Sequence, residues 1–122
     1  MGITTAGKSA VAQKIGGVGS VADFDYLALG DSNTAFAVGQ TALVSEITGN
    51  GLARAQDATP TEASGVLSID YTWTASGSET LKEVGLFNAS SGGTMLARTV
   101  LSSPVSMVST GTYKYTYTIT VS

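Results

Sequence analysis

The sequence contains no cysteine and no histidine. Disulfides, thiolate nucleophiles and imidazole bases are therefore outside its chemistry, as are the two strongest zinc ligand types. Most familiar catalytic arrangements are excluded with them. The lack of cysteine does not fix a compartment, because such a chain suits a reducing or an oxidising one equally. Charge is scarce too. Charged residues make up 12% of the chain and hydrophobic residues 43%, the reverse of the balance that keeps a chain disordered. Six Lys plus Arg stand against nine Asp plus Glu, and the two arginines, Arg54 and Arg98, lie far apart. That leaves no basic patch for a phosphate backbone, and no nucleic-acid partner is expected. No apolar run approaches the roughly 20 residues of a membrane span, and the N-terminus lacks the apolar centre of a signal peptide. A soluble protein with no membrane partner and no recognisable address is the expectation.

What is present is a chain rich in serine, threonine and glycine. Its 122 residues are one ordinary domain, expected as an N-terminal helix or arm over 1–20 and a β core over 21–122. Residues 3–15 are the only stretch of helical character. Thr4 or Thr5 can cap it, Ala6, Ala10, Val11 and Ile15 fall on one side, and Gly16-Gly17 ends it. Residues 24–30 read as a first strand running into the turn cluster Asp31-Ser32-Asn33. Residues 41–47, with Leu43 and Ile47 four apart, predict one or two helical turns laid on a sheet.

The second half shows a period of two. Leu67, Ile69, Tyr71 and Trp73 alternate with Ser68, Asp70, Thr72 and Thr74, and Tyr113, Tyr115, Tyr117, Ile119 and Val121 alternate with Thr112, Lys114, Thr116, Thr118 and Thr120. Both are half-buried strands. Residues 81–87 and 94–101 form two more, joined through Gly92-Gly93, whose glycines permit the positive φ of a hairpin loop; Ser103-Pro104 closes the latter. Short strands, frequent turns and one short helix predict an all-β fold, an antiparallel β-sandwich or small barrel with a short N-terminal helix.

Several patterns suggest chemistry on letters alone. Gly2 to Ser9 matches the phosphate-loop pattern G-x-x-x-x-G-K-[ST], but that loop must follow a buried parallel strand, and only Met1 precedes Gly2. The glycines from Gly17 onward fit a loose dinucleotide pattern yet follow a helix, which makes them a linker. Asp23, Asp25, Asp31 and Asn33 gather oxygen ligands without the ordered calcium loop, and Asp31-Ser32-Asn33 is more simply a turn. Glu79 and Glu83 read as solvated strand-end charges rather than a glycosidase pair. Asn88-Ala89-Ser90 has the glycosylation pattern but lies in the hairpin loop. Trp73 shares its face with apolar neighbours and reads as core, which leaves Tyr113 as the aromatic suited to stacking on a sugar. No catalytic residue, metal or cofactor is assigned.

Residues 83–98, EVGLFNASSGGTMLAR, resemble the hairpin of a family of small tailed-bacteriophage structural proteins, labelled as tail-fibre or virion proteins. The likeness extends upstream through Ile3-Thr4, Ala6-Gly7-Lys8, the glycines of 16–20, the YLALG run of 26–30 and Thr41-Ala42-Leu43. Its signature residues here are Glu83, Gly85, Leu86, Phe87, Gly92, Gly93, Met95, Leu96 and Arg98. The resemblance implies a non-enzymatic component of the virion, assembled in the host cytoplasm. It would act as a capsid-decorating (cement) protein or a small tail- or fibre-associated module, through multivalent contacts with other capsid or tail proteins and with itself, a trimer among the expected forms. A carbohydrate-binding, receptor-reading module that takes a host glycan is the alternative. The spacing of Glu83 and Arg98 suggests an ion pair across the hairpin strands. The N-terminal segment, with Ile3, Lys8, Val11 and Ile15, is the candidate interface, because a glycine-rich terminus without a core role often orders only against a partner.

Overall fold

A computed structural model describes the whole of Met1–Ser122. In chain order the elements are β1 (Gly2–Ile3), α1 (Thr5–Gly16), β2 (Tyr26–Gly30), β3 (Ala55–Gln56), β4 (Thr61–Ala63), β5 (Val66–Thr74), β6 (Glu79–Phe87), β7 (Met95–Met107) and β8 (Thr112–Thr120). They build two antiparallel sheets, one ordered β1-β7-β6-β2-β3 and the other β4-β5-β8. No strand belongs to both, so the all-β architecture is sandwich-like and the barrel alternative does not form. Leu27, Leu29, Val84, Leu86 and Ala97 of the larger sheet pack in one cluster with Ile69, Trp73 and Tyr117 of the smaller. The alternating patterns of β5 and β8 place those three inward. Tyr71, on the same face, stays 37% exposed and meets Trp73 edge-on at 5.0 Å; a three-stranded sheet is too narrow to cover its whole inner face.

Helix α1 starts where the sequence predicts it. Thr4 is the N-cap, its Oγ1 accepting from the Gly7 N–H at 2.8 Å and donating to the Met95 carbonyl of β7 at 2.6 Å. The cap thereby ties the helix to the sheet. Gly17, at φ 66°, ends it in the left-handed conformation. Its apolar side differs from expectation. Of Ala6, Ala10, Val11 and Ile15 only Ala10 is buried; Val11 is 39% and Ile15 84% exposed. Gly7 faces inward instead, because the helix backbone comes so close to β7 that a Cβ there would lie 2.7 Å from the Leu96 Cα. Segment 1–20 is therefore no free arm: β1 pairs with β7, and Thr4 and Ala10 are interior residues.

Three other expectations are corrected. Residues 41–47 form no helical turn. Ile47 donates to the Leu29 carbonyl and Ser45 accepts from the Asp31 N–H, both at 2.8 Å. The segment crosses the end of β2 so that Leu43 packs on one face of the larger sheet and Ile47 on the other; helical spacing would put both on one side. Strand β7 also passes through Ser103-Pro104 instead of ending there. Its register with β6 slips between the pairs Leu81↔Val105 and Glu83↔Val100, so Pro104 sits in the irregular stretch, where no ladder donor is required of it. The strand expected over 24–30 is β2 and begins at Tyr26, and Phe24 enters the core from the preceding loop.

The outer face of the larger sheet, turned away from β5 and β8, carries Ala28, Phe87 and Met95 with Leu43 laid over them. Glu83 and Arg98 lie on this face, since Arg98 pairs with Gly85 across the ladder. Their side chains are wholly buried, with Arg98 Nε 2.8 Å from Glu83 Oε1. Glu83 also accepts from the backbone N–H of Val44 at 3.0 Å and of Ser45 at 2.8 Å. Arg98 Nη1 donates to the Thr34 carbonyl at 2.9 Å, and only Nη2 is left without a partner. Glycine is required around the pair: a Cβ on Gly85 would come 2.8 Å from both Leu43 and Phe87, and one on Gly30 would overlap the Glu83 side chain.

Glu83→Gln and Arg98→Met singly should each cost about 3–5 kcal/mol, because each leaves a buried charge uncompensated. The double variant should cost clearly less than the sum, as read by urea denaturation. In both single variants, amide exchange of Val44 and Ser45 should accelerate before global unfolding. A second prediction concerns alkaline pH. Burial pushes the phenols of Tyr115 and Tyr117 above their ordinary value, while the Thr99 hydroxyl, bonded to the Tyr117 oxygen at 2.9 Å, acts in the opposite direction. The folded state thus favours the protonated phenols. Their stabilising contribution is complete below about pH 10 and is lost as pH rises beyond it, where unfolded tyrosines give up their protons. Urea midpoints measured between about pH 8 and 11 should fall at the alkaline end, and less steeply in Tyr117→Phe.

Candidate functional site

The side chains with chemical potential are largely committed to holding the fold. Glu83 is sealed in its ion pair, while Glu79 accepts from Asn50; the two glutamates serve different partners. Asp23 pairs with Lys14, Asp25 accepts from Gln56 and Asp31 pairs with Lys82, so the three aspartates of the oxygen-rich stretch point to three separate places. Arg54 grips Glu46 at 2.8 Å, donates to the Ala89 and Gly92 carbonyls and lies 3.7 Å over the Phe87 ring. It clamps the 88–94 loop, a role that nothing in its sequence neighbourhood announces. The phosphate-loop letters fall on a strand and a helix: Gly2 and Ile3 are β1, Thr4 caps α1, and Gly7 is spent on the contact with Leu96.

The signature hairpin is interior. Leu86, Phe87, Met95, Leu96, Glu83 and Arg98 are all buried. Gly92 and Gly93 take φ of 57° and 71° in a loop closed by Asn88, whose Oδ1 accepts from the Thr94 N–H at 2.8 Å. Trp73 is 3% exposed and donates its indole N–H to the Ala53 carbonyl. Tyr113, the residue expected to stack on a sugar, is half-buried and accepts the Val108 N–H at its hydroxyl, which ties its ring to the loop before β8.

The surface feature that stands out is an apolar groove between α1 and the smaller sheet. Its volume is about 520 Å³, with Val11 and Ile15 on the helix side and Leu67, Ile119 and Val121 on the strand side. A smaller hollow of about 250 Å³ adjoins it, lined by Ile3, Lys8, Val11, Leu96 and Ile119. The candidate interface residues Ile3, Lys8, Val11 and Ile15 thus line one continuous depression. Leu96, the one signature residue to reach it, supplies the floor. The helix cannot close over the sheet because Gly7 and Ala10 already bring it against β7, leaving Val11 and Ile15 on the side that faces β8. At the rim, Lys14 Nζ lies 2.7 Å from Asp23, and this contact holds the Asp23 carboxyl below its ordinary value.

Leu67, Ile119 and Val121 were legible only as core residues of alternating strands. Their position at the strand ends beside α1, with Val121 79% exposed, depends on how the helix is docked. No helix is long and apolar enough to cross a membrane. The two faces of α1 make a test. Ile15→Lys should leave stability within about 0.5 kcal/mol, as for an ordinary surface change. Gly7→Ala should lower the thermal midpoint although alanine is the better helix former by about 1 kcal/mol, because β7 occupies the space. No protein-family model matches the chain, and no curated protein is significantly similar to it in sequence.

Proposed function

We propose that the protein is a non-enzymatic structural component of a tailed-bacteriophage particle, a capsid-decorating protein or a small tail- or fibre-associated module, which docks on a larger assembly through the groove between α1 and β8. The observation that carries this reading is the groove itself. It brings the exposed Val11 and Ile15 of α1 and Val121 beside the half-buried Leu67 and Ile119 of β5 and β8, while the carboxylates and arginines that could do chemistry serve the fold. Contiguous exposed apolar surface with a polar rim is the usual mark of a protein contact. The likeness of residues 83–98 to phage structural proteins supports the same assignment, and modest contacts repeated over many copies suit a chain of this size.

The experiment is to purify phage particles from the genome that encodes the chain, identify their proteins by mass spectrometry, and add back labelled protein to particles that lack it. The wild type should be a multicopy particle component and should rebind. Ile15→Lys should fold normally and rebind at least tenfold more weakly, the loss expected when an exposed aliphatic anchor of about 1.4 kcal/mol is removed. Absence of the protein from particles would overturn the reading. Binding of the pure protein to host polysaccharide, unaffected by Ile15→Lys, would replace it with the receptor-reading alternative.

A further inference from the structure

Strand β8 is a sheet edge with no strand hydrogen-bonded on its outer side; Met1 and Thr99 line a shallow hollow beside residues 115–118. The strand pairs only with β5, over the whole of Val66↔Thr120 to Thr74↔Thr112. At the two ends of this ladder, Val121 N–H donates to the Gly65 carbonyl and Ala75 N–H to the Gly111 carbonyl, both at 2.9 Å. In an antiparallel pair the residues that exchange hydrogen bonds alternate with those that do not, so the odd-numbered residues of β8 bond to β5. The N–H and C=O groups of Thr112, Lys114, Thr116, Thr118 and Thr120 therefore point away from the sheet. No backbone or side-chain hydrogen bond within the chain reaches them.

Proteins normally blunt such an edge with proline, a bulge, very short length or several charges. The other edges here are blunted: β1 and β3 are two residues long, β4 is three and follows Pro60, and the part of β7 left open beyond its pairing with β1 at Ala97 and Arg98 carries Pro104 and a register slip. Strand β8 is nine residues long, unbroken in register, free of proline, and has Lys114 as its one charge.

We propose that β8 pairs with β8 of a second copy of this chain, antiparallel about a two-fold axis at Thr116, to join two three-stranded sheets into one. The strand is close to a palindrome about that residue. Thr116 faces itself, Tyr115 faces Tyr117, Lys114 faces Thr118, Tyr113 faces Ile119 and Thr112 faces Thr120. This is the self-complementarity that a two-fold contact requires. The register also satisfies every outward-pointing group, since the even-numbered residues then exchange hydrogen bonds with one another. It keeps the two Lys114 side chains apart, each opposite a threonine. The proposal rests on the reading of the protein as one that works through protein contacts; it uses the backbone edge of β8, and Ile119 is the one β8 residue it shares with the groove lining.

The test uses light scattering after size exclusion at high micromolar concentration, where the wild type should have twice the chain mass of 12.3 kDa. Thr118→Lys places a lysine against Lys114 at two symmetric positions and should weaken the dimer about tenfold. Thr118→Glu should strengthen it, and Lys114→Glu combined with Thr118→Lys should restore it. All three change exposed side chains, and unchanged thermal midpoints at concentrations that dissociate the dimer will confirm folding. In this cysteine-free chain, Thr116→Cys should cross-link to a dimer on mild oxidation, as paired Cα atoms about 5.5 Å apart allow, while Thr118→Cys should not. A monomer or a trimer in the wild type, or a dimer indifferent to Thr118→Lys, overturns the proposal. Each of those results leaves the particle-binding comparison with Ile15→Lys to judge the docking role separately.

Discussion

The buried pair of Glu83 and Arg98 is the contact on which the outer half of the molecule depends. The larger sheet is apolar on both faces, and only one is covered by the second sheet. The other is roofed by a long connection between β2 and β3 that has no helix or strand of its own, a kind of segment that seldom holds a single shape unaided. Glu83 reaches the backbone of Val44 and Ser45, and Arg98 reaches the carbonyl of Thr34. Two side chains from adjacent strands thus hold that connection at separated points. Removing two charges from water is costly; here the bonds to the backbone offset it, and the connection is locked in register as a result.

Arg54 completes the same arrangement from the far end of the connection. Its bonds to Glu46 and to the 88–94 loop, and its position over Phe87, close the roof against the β6–β7 hairpin. The glycines fit this picture as spacers. Gly85 and Gly30 leave room for Leu43 and for the glutamate, so the residues most distinctive in the sequence are those that let a loop lie flat on a sheet.

The opposite end of the sandwich is less completely covered. Helix α1 approaches β7 so closely that it can bury only its small residues there, and its larger aliphatic side chains stand over the ends of β5 and β8. A groove results. On the same smaller sheet, β8 ends the ladder without a neighbour. A fixed core with an open groove and an open strand edge suits a protein that acts by contact, with little rearrangement on binding.

Much of this was readable in the residues. The period of two in β5 and β8, the Thr4 cap and the Gly17 stop of α1, and the hairpin between β6 and β7 are local patterns, written in neighbouring residues and enforced by backbone geometry. The pairing of Glu83 with Arg98 also followed from spacing within one hairpin, though its burial did not. What the local pattern could not tell was which side of each element would find cover. Leu43 and Ile47 have helical spacing but serve opposite faces of a sheet; Val11 and Ile15 resemble a core stripe but remain outside because Gly7 takes the contact; and Pro104 looks like a strand end but lies where the ladder slips. Each of these outcomes was decided by segments distant in sequence competing for the same surface, and only the packed tertiary structure resolves that competition.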